Sequence, residues 1–342
     1  MAKAEEAPVL VVGAGVAGLS CARVLADAGL AVKVMEGARG VGGRCATRRM
    51  EGQPVDFGVA FLHGRHPDFL AVLDEVPSEQ VPGWPVGVTG AGSPCQAEAF
   101  LPGERRLAYR DGVQALPRHL ARGLQIQLQS KVARLAAVED RIRLTLEDGQ
   151  ALAAPRVVLA LAPEQAATQL EALAHLPQVA SARAVLGLVR SQACLVVRAL
   201  YPVATTVPEW QALYPESSTL LQMISHDSTK RSSPRRPALV FQAHPAWSRA
   251  HLEDPGWPGL MLAEAERLLG PWAAQPEIME PHRWRLARSD RSAELAQPML
   301  LQLPGGAVLG LCGDRFAPGG GVEAAWLSGR HLAQRMLALE VR

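Results

Sequence analysis

Gly13, Gly15 and Gly18 stand in the order G-x-G-x-x-G, and Glu36 follows at the roughly twenty-residue distance at which a strand–helix–strand unit returns an acid to the glycine turn. Gly13 can reverse the backbone, Gly15 can admit a pyrophosphate, and Gly18 can let a helix lie close to a strand, with Val16 and Ala17 adding backbone at the same turn. Glu36 can accept hydrogen bonds from both hydroxyls of a ribose. These residues together describe a dinucleotide site. A second glycine-rich stretch follows at once: after Gly37, Arg39 and Arg44 bracket Gly42 and Gly43. The glycines there permit close backbone approach, and the arginines offer charge-assisted bonds to phosphate. Near the other end stand Gly313-Asp314 and then Gly321-Val322-Glu323-Ala324. Asp314 can accept a ligand hydroxyl, and amides at a helix start over residues 321–324 would aim partial positive charge at a ring that gains electrons.

Such groups need elements to hold them. Residues 9–12, VLVV, form the apolar run of a strand buried on both faces. Residues 17–28 predict a helix that Gly29 stops, and residues 31–35 predict the second strand. Further apolar runs at 157–162 and 308–314 predict two more strands, and residues 322–337 predict an amphipathic helix. Residues 195–197, 220–224, 238–243 and 282–286 predict strands of an antiparallel sheet, with a helix at 258–269. The fold class expected is α/β: a Rossmann-type dinucleotide domain joined to a second, α+β domain built on an antiparallel sheet.

The chain has 342 residues, 48% of them hydrophobic, and a formal net charge of +2 from 35 basic and 33 acidic residues. That is enough for two cores, and the charge balance points to no nucleic-acid partner. Basic runs such as residues 230–236 could contact anionic substrate groups, but most read as solvated surface; His63, Arg65 and His66 in a polar turn read as surface before they read as site residues. No apolar window is long enough to span a membrane, and no secretory leader is expected, which makes the cytoplasm the default location. Five cysteines without paired short spacing argue against a disulfide framework or a metal site.

The stretch RGVGGR directly after Glu36 resembles the phosphate loop of the flavoprotein amine oxidase superfamily. Taken with VVGAGVAGLS and CGDRFAPGGGVEAAWLSGRHLA, the chain resembles the renalase-like flavoproteins within it, and weaker likeness runs through ISHDSTKR, QAHPAWSRAHLE and HRWRLAR. The resemblance implies noncovalent FAD, with the Val132 backbone against the adenine. It implies an FAD domain over 1–60, 103–164 and 290–342, and a substrate domain over 61–102 and 165–289. It also implies oxidation of dihydronicotinamide isomers of NAD(P)H, with hydride passing to flavin N5 and dioxygen then giving hydrogen peroxide. The cofactor carries that chemistry, so no catalytic acid or base is nominated. Where such proteins usually carry Gly-Ala-Gln-Tyr, this chain has Gly58-Val59-Ala60-Phe61, which leaves the substrate open. Phe61, Trp284 and Arg288 are the candidate pocket residues. Amine oxidases of the superfamily commonly place a lysine near flavin N5. This chain has only Lys3, Lys33, Lys131 and Lys230, which weakens an amine-oxidase or desaturase reading without removing it. A flavin-binding sensor or partner subunit is the third possibility.

Overall fold

The parallel strand expected from residues 9–12 forms at Val9–Val12 in a computed structural model that describes residues 7–289 and 295–339. The chain divides into two compact units, one of residues 1–43, 116–191 and 289–342 and one of residues 44–115 and 192–288. Among the described residues no helix is long and apolar enough to cross a membrane.

In the first unit, Val9–Val12 lies between Arg156–Leu159 and Val32–Met35, parallel to both. Gln125–Gln127 extends the sheet on one side, and Val308–Leu311 with Met299–Gln302 extend it on the other. Only Met299–Gln302 pairs antiparallel. Val9 to Val12 are all buried, as expected of a central strand covered on both faces. Helix Val16–Asp27 follows the first strand, and helix Gly321–Leu337 follows Val308–Leu311. The two helices meet closely at Gly329, where a Cβ atom would lie 2.1 Å from the Ala17 carbonyl oxygen. Ser20 Oγ also donates to the Trp326 carbonyl at 2.8 Å. A Gly329→Ala substitution must therefore push two backbones apart. We expect a loss of about 1–3 kcal/mol, checked by urea unfolding; an unchanged midpoint would show that the crossing relaxes without cost.

In the second unit the order is Ile278–Ser289, Ser191–Leu200, Ala238–Ala243, Leu221–His226, Ala212–Leu213 and Val88–Thr89. The pairings through the centre are antiparallel. Alternation sorts the side chains. Leu195, Val197, Ala199, Leu239 and Phe241 pack with Trp257 and Met261 of helix Trp257–Leu269, whereas Cys194, Val196, Leu200, Ala238 and Val240 pack with Met50, Val55 and Phe57. A strand with one core on each face needs this period-two division.

Three expected boundaries differ. Residues 44–60 lie in the second unit, because Thr47–Met50 pairs with Gln53–Asp56 and Val55 enters the core formed with Val196 and Val240. Residues 103–115 join it too, since Arg105–Tyr109 is the middle strand between Leu62–Gly64 and Gln80–Pro82. Residues 165–191 belong to the first unit, where Ala166, Leu170, Leu173, Val179 and Leu186 are buried against Val132, Leu144 and Leu309. Apolar pattern shows that a segment is buried but not which core receives it.

Candidate functional site

The glycine turn of the first unit is built as its spacing requires. Gly13 has φ of +103°, and a Cβ there would meet the Ala160 carbonyl oxygen at 2.5 Å. At Gly18 a Cβ would lie 2.0 Å from the Gly13 carbonyl oxygen, so helix and strand approach as only glycine allows. Gly15 differs: a Cβ there would meet nothing within 4 Å. Its neighbour is the second glycine loop, joined to it by a backbone bridge from Gly15 to Gly42 and by Gly42 N donating to Ala14 O at 2.8 Å. Gly43 Cα stands over the same opening, its missing Cβ 3.7 Å from Gly15 Cα. The helix starting at Val16 has no side-chain cap and no acid in its first turn. Its first amides, at Val16 and Ala17, thus border an open space lined by backbone, a cradle for an anion.

Glu36 sits beside this space. Its Oε2 accepts from Ala14 N at 2.7 Å and its Oε1 from Ala38 N at 2.8 Å. Each carboxylate oxygen keeps a lone pair for a ligand hydroxyl. Gly37 packs against Lys131, where a Cβ would lie 3.2 Å from the lysine Cβ. Arg39 is exposed at the loop rim. Val132 is buried, and its carbonyl accepts from Gln169 Nε2 at 2.8 Å. Gly313 N donates to Ser328 Oγ at 3.0 Å, which ties the C-terminal turn to the last helix, and Asp314 is buried beside it. That helix starts at Gly321, with Gly319, Gly320 and Gly321 all at positive φ, and Val322, Glu323 and Ala324 in its first turn. The Gly329–Ala17 crossing brings it against the start of the first helix, so glycine motifs some three hundred residues apart along the chain share one unit. The open backbone at Gly15, the uncapped amides and the anchored carboxylate fit a dinucleotide with a pyrophosphate and a ribose.

Arg44, next to Gly43, is the first residue of the second unit, where Nη1 donates to Ala287 O at 3.4 Å. From Arg44 the chain leads to residues 57–60, which are held in an unusual way. Trp284 Nε1 donates to Phe57 O at 3.1 Å, Gln242 Nε2 to Gly58 O at 2.9 Å, and Lys230 Nζ to Ala60 O at 2.6 Å. Val59 N donates to Arg44 O at 2.9 Å. Gly58 is required, since a Cβ would sit 2.2 Å from that same Arg44 oxygen. Side chains from three distant segments thus fix three carbonyls of one short stretch.

Behind it lies a buried ion quartet that the sequence reading did not anticipate. Lys230 Nζ reaches Asp56 Oδ2 at 2.9 Å and Asp227 Oδ1 at 2.6 Å; Arg231 Nη2 reaches Asp56 Oδ2 at 3.0 Å and Asp227 Oδ2 at 2.6 Å. Lys230 and both acids are 0% exposed. The expectation of a solvated basic run at 230–236 is therefore wrong for Lys230 and Arg231. The signal that could have shown it is local: Asp227 precedes them by three and four residues, the spacing of paired charges. Burial alone would raise the Asp56 pKa, but the charges of Lys230 and Arg231 and hydrogen bonds from Thr47 and Lys230 hold it below its ordinary value.

The three expected pocket residues fare differently. Phe61 is fully buried, edge-on to Trp84 at 5.8 Å and to Phe100 at 6.2 Å, so its ring packs in a core cluster. Trp284 stacks on Phe57 with centroids 5.3 Å apart. Arg288 reaches Cys95 O and Gln242 Oε1, both at 3.5 Å. His63 faces Glu104 at 3.1 Å. Lys131 pairs with Glu147 on the surface, Lys33 lies on strand Val32–Met35, and Lys3 falls outside the described residues.

A family model described as flavin containing amine oxidoreductase matches residues 16–92 and 90–337. A polyamine oxidase of Arabidopsis thaliana, "Polyamine oxidase 2", is 44% identical over 62 residues, and a putative flavin-containing monoamine oxidase of Mycobacterium tuberculosis is 46% identical over 68 residues. Those stretches cover 18% and 20% of this chain but only 13% and 15% of the two relatives. Among solved structures, cyclohexylamine oxidase from Brevibacterium oxydans superposes with a TM-score of 0.75 at 16% identity, covering 98% of this chain and 100% of that one. A putative protoporphyrinogen oxidase from Exiguobacterium gives 0.71 at 14% identity, covering 98% and 100%.

Proposed function

We propose, from the premise that this chain belongs to the flavin containing amine oxidoreductase family, that it is an FAD-dependent oxidase of dihydronicotinamide isomers of NAD(P)H. Bound FAD supplies the two-electron acceptor, and dioxygen is the final oxidant, leaving as hydrogen peroxide. In this reading the first unit is the FAD domain: Gly13, Gly15, Gly18, Gly42 and Gly43 leave room for the pyrophosphate, and Glu36 takes the ribose hydroxyls. Asp314 and the amides at 321–324 serve the flavin end. The second unit receives the substrate, and its 57–60 stretch is held rigid by Trp284, Gln242 and Lys230.

The observation that carries the choice of substrate is the position of Lys230. Its ammonium is shared among Asp56, Asp227 and the Ala60 carbonyl, which leaves it no donor for a reacting group. An alkylamine arrives as a cation and must lose a proton before its C–H bond can give up two electrons. A dihydronicotinamide is neutral at the ring, and its ring nitrogen drives the loss without a protein base. The chain's residues then need only orient the ring and exclude water.

Amine oxidation is the second reading, favoured by the polyamine and monoamine oxidases matched above. Anaerobic mixing of the yellow holoprotein with 2- and 6-dihydronicotinamide isomers, with putrescine and with ordinary NADPH separates the two. We expect flavin bleaching by the isomers alone. Bleaching by putrescine alone would replace this reading with amine oxidation, and bleaching by none would leave a flavin-binding protein without this activity.

A further inference from the structure

We propose that Arg288, Tyr214 and Gln242 of the second unit form a recognition site for an anionic oxygen group of the substrate, a carboxylate or a phosphate. The proposal rests on the reading that this unit receives the substrate, and it adds the charge that the substrate must carry.

Arg288, like Arg106, lacks the carboxylate partner that other arginines of this unit have. Arg198 has Glu280 at 2.8 Å, and Arg231 has Asp227 at 2.6 Å. Among the described residues Arg288 has no carboxylate within ion-pair distance. It reaches the Cys95 and Gln242 carbonyl oxygens, each at 3.5 Å, the outer limit of a hydrogen bond, and the Cys95 thiol is a further uncharged neighbour. A guanidinium has five N–H donors in a planar fork, and leaving it half-buried with two long bonds is costly. Gln242 cannot turn to improve the contact by much, because its Nε2 is committed to Gly58 O at 2.9 Å. Its Oε1 is thereby aimed at Arg288 and fixes the side of the fork that faces the sheet.

Tyr214 adds a second unsatisfied donor. Its ring is 1% exposed in the cluster with Phe61, Trp84 and Met223, and its hydroxyl is buried without a hydrogen-bond partner. A buried hydroxyl of this kind calls for an explanation, and a ligand oxygen is one. Cys95, whose carbonyl Arg288 reaches, packs against the cluster that holds Tyr214, and the Arg288 charge acts on the Tyr214 hydroxyl, the Cys194 thiol and the His244 imidazole.

None of them cancels the charge. Burial pushes the Tyr214 hydroxyl up and the Cys194 thiol up to about 11, so both stay protonated at neutral pH. Burial pushes His244 below its ordinary value, helped by Arg288 and opposed by its Ser218 contact, so it adds no charge. With these groups neutral, the Arg288 charge is left to attract an anion. A cationic amine would meet repulsion there, whereas a carboxylate or phosphate would supply the missing partner for Arg288 and accept from Tyr214.

The test is binding of benzoate and of inorganic phosphate to the oxidised holoprotein, followed by calorimetry and by the flavin absorption spectrum, with benzamide as the neutral isostere. Saturable binding of benzoate or phosphate but not benzamide is the expected result. The tighter of the two tells which anion the site was built for. Arg288→Gln should weaken that binding by about tenfold or more, Arg288→Lys should restore part of it, and Tyr214→Phe should weaken it severalfold. No saturable binding to the wild-type protein, or equal affinity in Arg288→Gln holoprotein of wild-type flavin content, overturns the proposal. Where Arg288→Gln fails to retain flavin, Tyr214→Phe decides it, and unchanged affinity in that variant overturns it. Anion binding lost in Arg288→Gln together with no bleaching by the dihydronicotinamide isomers would keep this site while removing the substrate reading.

Discussion

Asp56→Asn is expected to lower the stability of the protein by about 3–5 kcal/mol, the range found when one partner of a buried ion cluster is removed. Four donors converge on this carboxylate: Thr47 Oγ1 at 2.6 Å and Val113 N at 3.0 Å on one oxygen, Lys230 Nζ at 2.9 Å and Arg231 Nη2 at 3.0 Å on the other. With two acids and two bases the quartet is neutral. Asparagine keeps the shape but leaves one acid against two bases, a buried net charge of +1, and turns an amide donor toward two cations. Against total stabilities of about 5–15 kcal/mol, the change is large enough to show as a lowered midpoint in urea and as loss of folded protein at physiological temperature. The effect should reach the 57–60 stretch as well, because Lys230 also holds Ala60 O.

The pH dependence has a definite sign. The Asp56 pKa is lower in the folded protein than in the unfolded chain, so its contribution is fully present above the unfolded carboxylate value near ~3.9. It is lost as pH falls through the folded value. The wild-type protein should therefore lose stability steeply on the acid side, and Asp56→Asn, already without the charged form, should show a shallower acid limb. Parallel acid limbs for the two proteins would show that another group governs acid unfolding.

Glu36→Ala is expected to weaken FAD binding by about tenfold to a hundredfold, the equivalent of losing charged hydrogen bonds worth about 1.5–3 kcal/mol. The carboxylate is held on both oxygens by Ala14 N and Ala38 N, so it meets a ribose already oriented. Its removal takes away the acceptor and releases the Ala14 amide beside the glycine turn. Titration of apoprotein with FAD, read by flavin fluorescence quenching, measures the change. Because Glu36 ends a strand at the rim of the sheet and is not fully buried, the variant should fold with near wild-type stability. Full flavin occupancy at unchanged affinity would remove Glu36 from the site.

The cradle was readable from the sequence because its logic is local. Gly13, Gly15, Gly18 and Glu36 lie within one strand–helix–strand unit, and Gly13 and Gly18 answer close backbone approaches that a side chain would block. The last helix was readable for the same reason, with its glycines at 319–321 and its apolar face at 324–336 set out in order. The apolar runs at 195–197 and 238–243 likewise pointed to strands of an antiparallel sheet, and the structure pairs them so. What the tertiary structure alone decided is which distant groups share an environment. Asp56 meets Lys230 and Arg231 across more than 170 residues. Phe61 became core because Trp84 and Phe100 enclose it. The chain changes unit at Arg44 because the strands that follow find their partners elsewhere. Whether Arg288 has a counter-charge is also a fact of packing. Sequence specifies the donors and acceptors a chain carries, and the backbone shapes that need glycine. The balance of burial against pairing that turns a charge into a buttress or a binding site is set by neighbours in space, and those exist only once the chain has folded.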